Sequence, residues 1–378
     1  MIFFIKMSLK YKSKDSSDHI FKQIKDKADS YFAANKFHKN GNIFLWLKFT
    51  VLIILLAVVY YSLLHSQSFG QLLISYIFFG WIFLIAGINI GHDAAHGCVT
   101  GNKKIDNFLF QLIFGLQGLG GYMWQIRHNG SHHIFPNVYD NDTDLEMSPL
   151  VILNPKQKVH PFHKYQHIYA PFLYMFFSLI WIFYEDFIFL LRTDVANLKK
   201  VKVPAIEWMK LFFLKIIYIF MFLVLPFMSN SMPFITIIAA FFIMHFVISL
   251  FLAFTFFMSH HVMEVGYVHA EEKDHMIANS WLSHQITTTI DFNPESKIAN
   301  FLFGGFNTHI AHHIFPDVSH IHYPALTKII RETLEENHVT WYKSFTFFRG
   351  ISSHLRHLKK TAEDILAEKK LSSSLDAV

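Results

Sequence analysis

The chain has 378 residues, of which 52% are hydrophobic and 43 are phenylalanine, so it is too apolar for an ordinary soluble protein of this length. Its 25 histidines exceed what a lipid-embedded protein needs, because an imidazole in hydrocarbon is costly unless it binds metal, relays protons or pairs. The single cysteine, Cys98, excludes an internal disulfide and a metal site built from several thiolates. The net charge of +5 does not indicate nucleic-acid binding, because the lysines flank apolar runs, as expected for cytoplasmic ends of membrane spans.

Four apolar runs are long enough to cross a hydrocarbon core, which needs about 20 helical residues. They are residues 44–64, 72–90, 211–229 and 233–258, and we expect them to form two transmembrane hairpins. Neither hairpin connection contains a charged residue, whereas the segments at the opposite ends of the spans carry lysines. We therefore expect a multi-pass integral membrane protein with both termini in the cytoplasm, and we favour a bacterial inner membrane over the endoplasmic reticulum.

Two further apolar stretches, residues 107–124 and 168–191, begin and end beside basic or histidine-bearing sequence. If either stretch crossed the membrane alone, it would place histidine clusters on opposite faces. Polar residues such as Gln111 and Glu185 also interrupt them. We therefore expect two interfacial helices.

The predicted fold is all-α, with four transmembrane helices in two hairpins, two interfacial helices and a cytoplasmic histidine-rich cap. In this interpretation, residues 1–43 are a cytoplasmic N-terminal segment and residues 44–330 form the membrane domain. Residues 331–378 are a cytoplasmic C-terminal tail, which we expect to be helical because its apolar residues recur at helical spacing.

Three histidine clusters, HDAAH, HNGSHH and HIAHH, lie in segments predicted to be cytoplasmic. Their i, i+3 and i, i+4 spacings place the imidazoles of each cluster on one face of a helical turn. The candidate metal ligands are His92, His96, His128, His132, His133, His309, His312 and His313. Eight imidazoles suit two metal ions, since one zinc needs only three or four ligands. Among metals that accept imidazole, iron with oxygen best matches the unactivated C–H bonds of a lipid.

Five residues outside these eight have alternative roles. His284 is a ninth candidate ligand in the same cytoplasmic stretch. Asp93 either orients a ligand imidazole or caps a helix end. For His260 and His261, at the end of the fourth span, an interfacial role is favoured over ligation. For His245, in the middle of that span, a hydrogen bond between helices is favoured over a position in the wall of an acyl tunnel.

The acidic run at residues 140–146 lacks the glycine and the last acidic residue of a calcium-binding loop. We therefore expect a solvated loop at this position.

The three clusters, together with WLSHQITTTIDF (281–292) and GGFNTHIAHHIFPDVSHIHYP (304–324), make the chain similar to the membrane fatty acid desaturase family over about residues 85–330. The resemblance is strongest to the acyl-CoA and acyl-lipid branch that includes linoleoyl-CoA and front-end desaturases. It implies two Fe ions held by the eight cluster histidines and by His284, and O2 as the co-substrate. It also implies that the enzyme introduces a double bond into a fatty acyl chain carried by CoA or a membrane lipid. No catalytic residue beyond the metal ligands is implied.

The chain departs from many front-end enzymes at two points. His309 stands where many of them have glutamine, which weighs against front-end regiochemistry. The HPGG haem motif of a fused cytochrome b5 domain is missing from the sequence, which implies a separate electron donor such as ferredoxin or cytochrome b5 with its reductase.

Two alternatives remain open from the sequence. A related diiron hydroxylase or ketolase acting on a lipid would share the histidine clusters but place oxygen in the product. A histidine-rich metal transporter would need ligands within its spans, where only His245 lies deep.

Overall fold

The computed structural model describes residues 5–6, 9–11, 17–145, 149–155, 157–269 and 276–375, and the fold is given for those ranges. Their α-helices are, in chain order, α1 (Ser17–Asn35), α2 (Ile43–Leu64), α3 (Phe69–Ala86), α4 (His92–His96), α5 (Lys103–Leu116), α6 (Gly121–Arg127), α7 (Gln166–Tyr174), α8 (Phe177–Ile180), α9 (Asp186–Leu191), α10 (Ala205–Ile219), α11 (Leu225–Ser229), α12 (Phe234–His260), α13 (Trp281–Thr287), α14 (Lys297–Phe303), α15 (His309–Ile314), α16 (Tyr323–Glu336) and α17 (Phe347–Leu375).

Short irregular turns and strands connect these helices. The π-helical turns are Gly87–Gly91, His128–His132, Trp181–Glu185 and Phe220–Val224, and the 3-10 turns are Thr143–Leu145, Pro161–Tyr165, Phe306–Thr308 and His320–His322. The strands are β1 (Ile5–Lys6), β2 (Lys10–Tyr11), β3 (Leu198–Lys199), β4 (Met276–Ile277), β5 (Asp291–Phe292) and β6 (Ser344–Phe345). β1 pairs antiparallel with β3, whereas β2 with β4 and β5 with β6 are parallel pairs.

Four helical segments of the described ranges are long and apolar enough to cross a membrane, as the sequence predicts. They are Ile43–Leu64, Phe69–His96, Ala205–Ser229 and Phe234–His260, with mean hydropathies between 2.1 and 2.6. In Phe69–His96, 67% of the most apolar window is buried, against 11% in Ile43–Leu64. The second segment is therefore central in the bundle, and the first lies at its periphery, where its apolar side chains suit contact with lipid.

The ends of the first two segments follow local signals. The side chain of Asn42 accepts hydrogen bonds from the N–H groups of Phe44 and Leu45, and Ser68 accepts from that of Gln71. Gly97, at φ 75°, ends the second segment in a left-handed conformation. His92 and His96 consequently occupy the last turns of a long buried helix.

Each stretch expected to form one interfacial helix is broken into more than one helix. The stretch at 107–124 is divided between α5 and α6 at Gly118, which has φ 79°. The stretch at 168–191 is divided between α7 and α8, and the helical segments Pro161–Tyr174 and Phe177–Leu191 bend by 74°. Apolar periodicity does not reveal such breaks.

A buried ion pair provides hydrogen bonds to backbone carbonyls at Gly118 and in the π-helical turn Trp181–Glu185. The Lys215 ammonium pairs with the Asp186 carboxylate and also donates to the carbonyl oxygens of Gly118 and Ile182. Asp186 accepts in turn from the N–H of Gly120 at 2.8 Å. Broken helices are tolerated in an apolar bundle only where other groups take up the freed hydrogen bonds.

A second buried network joins the broken helix to α12. The N–H of Ser178 donates to Ser249 Oγ at 3.0 Å, and Ser178 Oγ lies 2.7 Å from Nδ1 of His245. Nε2 of His245 bonds to the hydroxyl of Tyr218 on α10. His245 therefore makes the favoured hydrogen bonds between helices, and it also lies in the wall of an apolar cavity, so the two predicted alternatives are not exclusive.

The helices nearest the two termini, α1 and α17, pack against other helices of the fold. α1 lies along α16, and α17 packs against α7 and α12, with Leu358 and Ala362 fully buried. The proposed boundary between residues 330 and 331 falls inside α16 (Tyr323–Glu336). Of the predicted N-terminal segment, residues 1–4, 7–8 and 12–16 lie outside the described ranges.

Candidate metal centre

Two groups of four histidines converge among the described residues. Group A consists of His92, His96, His128 and His312, and group B consists of His132, His260, His309 and His313. Within each group, one ring nitrogen of every member lies within 4.8 Å of those of the others. Seven of the eight cluster histidines therefore belong to the two groups, with His260 as the added member.

Different elements carry these side chains to one place. Group A draws on the end of the second span, the π-helical turn at His128–His132 and α15, while group B adds the end of α12. Gly304, at φ 55°, lets the chain pass close to the turn preceding His92. A Cβ at Gly304 would lie 2.5 Å from the Ile88 carbonyl oxygen. Glycine at this position therefore brings the third cluster against the first.

The ring nitrogens fit a pair of metal ions better than mutual hydrogen bonding. Nε2 of His128 lies 3.2 Å from Nε2 of His92 and 3.0 Å from Nε2 of His133. Nε2 of His96 and Nε2 of His312 are buried without a hydrogen-bond partner. Buried polar atoms left in this way are costly, whereas lone pairs that converge on one point suit a cation. The donor set is neutral nitrogen, which iron, zinc and copper accept.

Outer partners orient four of the imidazoles. Nδ1 of His132 lies 3.2 Å from Asp142 Oδ1, and Nδ1 of His260 lies 3.0 Å from the Thr288 carbonyl oxygen. A further pair of contacts joins Nδ1 of His312 to the Tyr323 hydroxyl and Nδ1 of His313 to Gln285 Oε1. When Nδ1 is engaged outside the group, Nε2 is left to bind the metal, as is usual for metal-bound histidine.

Burial sets the protonation of most of these imidazoles. Burial, followed by neighbouring imidazoles, holds the pKa of His128, His309, His312 and His313 well below the usual value. They are therefore neutral at pH 7 and able to bind a cation. His132 differs, because burial is outweighed by Asp144 and Asp142, which raise its pKa to about 9.

The remaining predicted site residues lie beside the groups. His133 is outside both groups as defined above, but its Nε2 is 3.0 Å from that of His128. His284 is not brought into either group, and its Nε2 lies 2.8 Å from the Pro136 carbonyl oxygen. Asp93 accepts hydrogen bonds from Ser319 Oγ at 2.6 Å and His320 Nδ1 at 2.9 Å. It thus ties the first cluster to the segment after the third.

Two contributors were not predicted from the sequence. His260, for which an interfacial role was favoured, places Nε2 3.1 Å from Nε2 of His313. Asp142 lies in the acidic run expected to be a solvated loop, yet it is 1% exposed and holds His132. That expectation is wrong for Asp142, while Glu146 of the same run lies outside the described residues. The only sequence signal for the role of Asp142 was its position ten residues after His132.

Two adjoining apolar cavities, together called the apolar cavity, lie beside group A. His92 lines one part together with Phe306 and Trp124, and Tyr218, Phe222 and Met244 line the other part inside the bundle. The two parts share the lining residues Leu84, Gln117, Leu119, Trp181 and Leu252. The two parts therefore lie between His92 of group A and the apolar interior of the bundle.

Comparison with known proteins agrees with this architecture. A model of the family described as fatty acid desaturase matches residues 67–345. The acyl-lipid (8-3)-desaturase of Physcomitrium patens is 30% identical, over 94% of this chain and 74% of that protein. The sn-1 linoleoyl-lipid 6-desaturase of Arthrospira platensis is 26% identical, over 90% of this chain and 91% of that protein. The acyl-lipid (8-3)-desaturase B of Dictyostelium discoideum is 27% identical, over 91% and 76%. The chain belongs to the fatty acid desaturase family and is an oxidoreductase.

Proposed function

We propose that the chain uses two iron ions and O2 to introduce a double bond into the acyl chain of a membrane lipid. The observation that carries the proposal is that the two four-histidine groups lie side by side and that His92 of group A is in the wall of an apolar cavity. An apolar cavity suits an acyl chain, and the histidine groups beside it suit a pair of metal ions.

Group A would hold one ion and group B the other, with His133 as an additional ligand beside His128. When bound, the two irons supply the O2-dependent oxidation that breaking two unactivated C–H bonds requires. His284 supports the second cluster through the Pro136 carbonyl and is proposed as a positioning residue.

The surrounding residues orient the ligand imidazoles and bind the acyl chain. Outer contacts such as Asp142 to His132 and Gln285 to His313 fix the ring planes before substrate arrives. The apolar side chains of the cavity exclude water and align the acyl chain past His92.

We propose a glycerolipid as the carrier of the acyl chain, since the relatives from Physcomitrium patens and Arthrospira platensis are named acyl-lipid and linoleoyl-lipid desaturases. The lysine pattern supports placing both termini and the metal centre in the cytoplasm. The electrons would come from a separate protein such as ferredoxin or cytochrome b5 with its reductase.

The test is expression in a host with simple lipids, followed by fatty acid profiling with mass spectrometry. A new species two hydrogens lighter than a host fatty acid is expected. A species heavier by one oxygen would favour a hydroxylase instead. No new species in the presence of a working electron donor would contradict both functions.

A matched pair of histidine variants tests the site itself. His132→Ala should abolish the product and reduce bound iron, because it removes a ligand of group B. His19→Ala changes an exposed histidine on α1 and should retain both product and iron. Full activity of His132→Ala would contradict the assignment of group B.

A further inference from the structure

A column of aromatic rings leads from group B to the surface of the C-terminal helix. His260, a member of group B, is followed in the chain by His261, whose Nδ1 lies 2.9 Å from the Tyr267 hydroxyl. The Tyr267 ring in turn stacks on that of His357 in α17, with 5.1 Å between centroids and 8° between planes. His260 and His261 are joined through the backbone, with 6.4 Å between their ring centroids, and the two outer links are a hydrogen bond and a ring stack. The four side chains thus span the distance from group B to a half-buried ring at the surface.

The surface beside the outer end of this column is basic. Arg349, Arg356, Lys359 and Lys360 are all exposed on α17. Their spacing places them on one side of that helix, opposite the buried Leu358 and Ala362. Lys359 is partly compensated by Glu363 at 4.0 Å, and the exposed Asp364 follows Lys360 by one helical turn, so the row is most basic between Arg349 and Lys360. His357 adjoins this basic row, because it directly follows Arg356.

A second approach to group B has the opposite charge. Asp144 Oδ2 lies 3.4 Å from Nδ1 of His132, and the Asp144 side chain is 51% exposed. The buried Asp142 adds a further negative charge there. An acidic protein would be repelled by Asp144 and attracted to α17.

We propose that the basic row of α17 is the docking surface for an acidic one-electron redox protein, and that His357, Tyr267 and His261 carry its electrons to the metal centre. This inference rests on the proposed function. Electron transfer weakens steeply with distance through protein, so a short path of stacked and hydrogen-bonded rings favours this entry point. Electron-transfer complexes have small interfaces, in which charge guides association more than area does.

The electron balance fixes what the partner must deliver. The acyl chain loses two hydrogen atoms as its double bond forms, and O2 is reduced to two molecules of water. The reduction needs two more electrons and two protons. Two reduced partner molecules would each give one electron in succession and leave oxidised, and the protons come from solvent.

The docking half of the proposal is tested with an acidic [2Fe–2S] ferredoxin and, separately, with the soluble haem domain of cytochrome b5. Binding of each donor to the purified full-length chain is measured, with and without iron, over a range of ionic strengths. The double variant Arg356→Glu/Lys360→Glu should slow association about tenfold or more at low salt and remove most of its salt dependence. The matched double variant Lys22→Glu/Lys328→Glu reverses exposed charges on α1 and α16 and should bind as the wild type does.

The relay half is tested with donor at saturating concentration, so that docking no longer limits the rate. The reduction of the metal centre is followed by absorbance in stopped flow. Tyr267→Leu should slow reduction by the donor, whereas Tyr267→Phe, which keeps the stacking on His357, should be slowed less. The control Tyr169→Leu removes a half-buried ring outside the column and should leave the rate unchanged. Reduction by dithionite and the iron content should be the same in all variants.

Several results would overturn the proposal. They are wild-type association of the donor with Arg356→Glu/Lys360→Glu, wild-type donor reduction of Tyr267→Leu, or a centre that dithionite reduces but neither donor does. A purified chain that binds no iron would instead contradict the proposed function.

Discussion

Nδ1 of His132 lies 3.2 Å from Oδ1 of Asp142, and both side chains are buried. The carboxylate also accepts from the N–H of Asn137 at 2.8 Å, so it is held rigidly beside the ring. The orientation of His132, a proposed ligand of group B, therefore depends on a loop residue as well as on its own helical turn. Such outer carboxylates commonly control metal affinity.

Replacing Asp142 with asparagine tests this dependence. Asp142→Asn should weaken iron binding by about 10- to 100-fold, because the ring loses the charged acceptor that orients it. Iron affinity is measured by competition with a chelator. The exposed Asp140→Asn is the matched control and should bind iron normally. Unchanged affinity in Asp142→Asn would show that the carboxylate does not support the ligand.

The same pair predicts how metal uptake depends on pH. Although burial opposes protonation, Asp144 and Asp142 raise the pKa of His132 to about 9. A raised pKa means that the metal-free ring keeps its proton at neutral pH, and a metal ion must displace it. Iron uptake by the metal-free chain should therefore strengthen from pH 7 to 9. In Asp142→Asn, iron uptake should reach its maximum at a lower pH than in the wild type. The same pH profile in both proteins would contradict this account.

Leu119 tests the acyl cavity, since it lines both of its parts. Leu119→Trp should lower product formation on the order of 100-fold, because the added ring displaces the acyl chain from its position near His92. Iron content should stay at the wild-type level. Leu150→Trp, at an exposed position, is the control. Normal turnover by Leu119→Trp would exclude this cavity as the acyl site.

The buried pair of Lys215 and Asp186 should be essential to stability. Lys215→Met leaves a buried carboxylate without its cation and should lower the free energy of unfolding by about 3–5 kcal/mol. Removing both charges in Lys215→Met/Asp186→Leu should recover part of that loss, because no uncompensated charge remains. Thermal unfolding in detergent measures both variants. A single variant as stable as the wild type would contradict the assigned role.

Gly304 should be required for the third cluster. Gly304→Ala puts a Cβ at φ 55° and 2.5 Å from the Ile88 carbonyl oxygen, so we expect a loss of about 1–3 kcal/mol in folding free energy and reduced iron. Gly70→Ala is the control, since its Cβ would meet nothing within 4 Å. Iron content and thermal unfolding measure both effects, and wild-type values in Gly304→Ala would contradict this role.

The spans and the histidine clusters could be predicted because each depends on local sequence. A run of about 20 apolar residues is itself the signal for a span. The i, i+4 spacing of His92 and His96 can likewise be recognised without knowledge of the tertiary structure. The four predicted spans are confirmed as helices of membrane-spanning length among the described residues.

The residues that were missed depend on tertiary contacts. His260 ends a span, where a histidine is ordinary at a membrane interface, and only packing against α15 brings it to His313. Asp142 lies in a run of polar residues typical of a loop, and it is buried only because this loop folds back against His132 and Asn137. The break at Gly118 also escaped prediction, because one glycine in an apolar run does not specify a turn until a partner such as Lys215 satisfies the freed carbonyl.

The central claim is that the two four-histidine groups hold two iron ions. The most direct measurement is the metal content of the purified chain, determined by mass spectrometry of the metals and compared with His309→Ala/His313→Ala, which removes half of group B. The account predicts two irons per chain in the wild type and one in the double variant. One metal ion per wild-type chain, or two ions retained by the double variant, would contradict it.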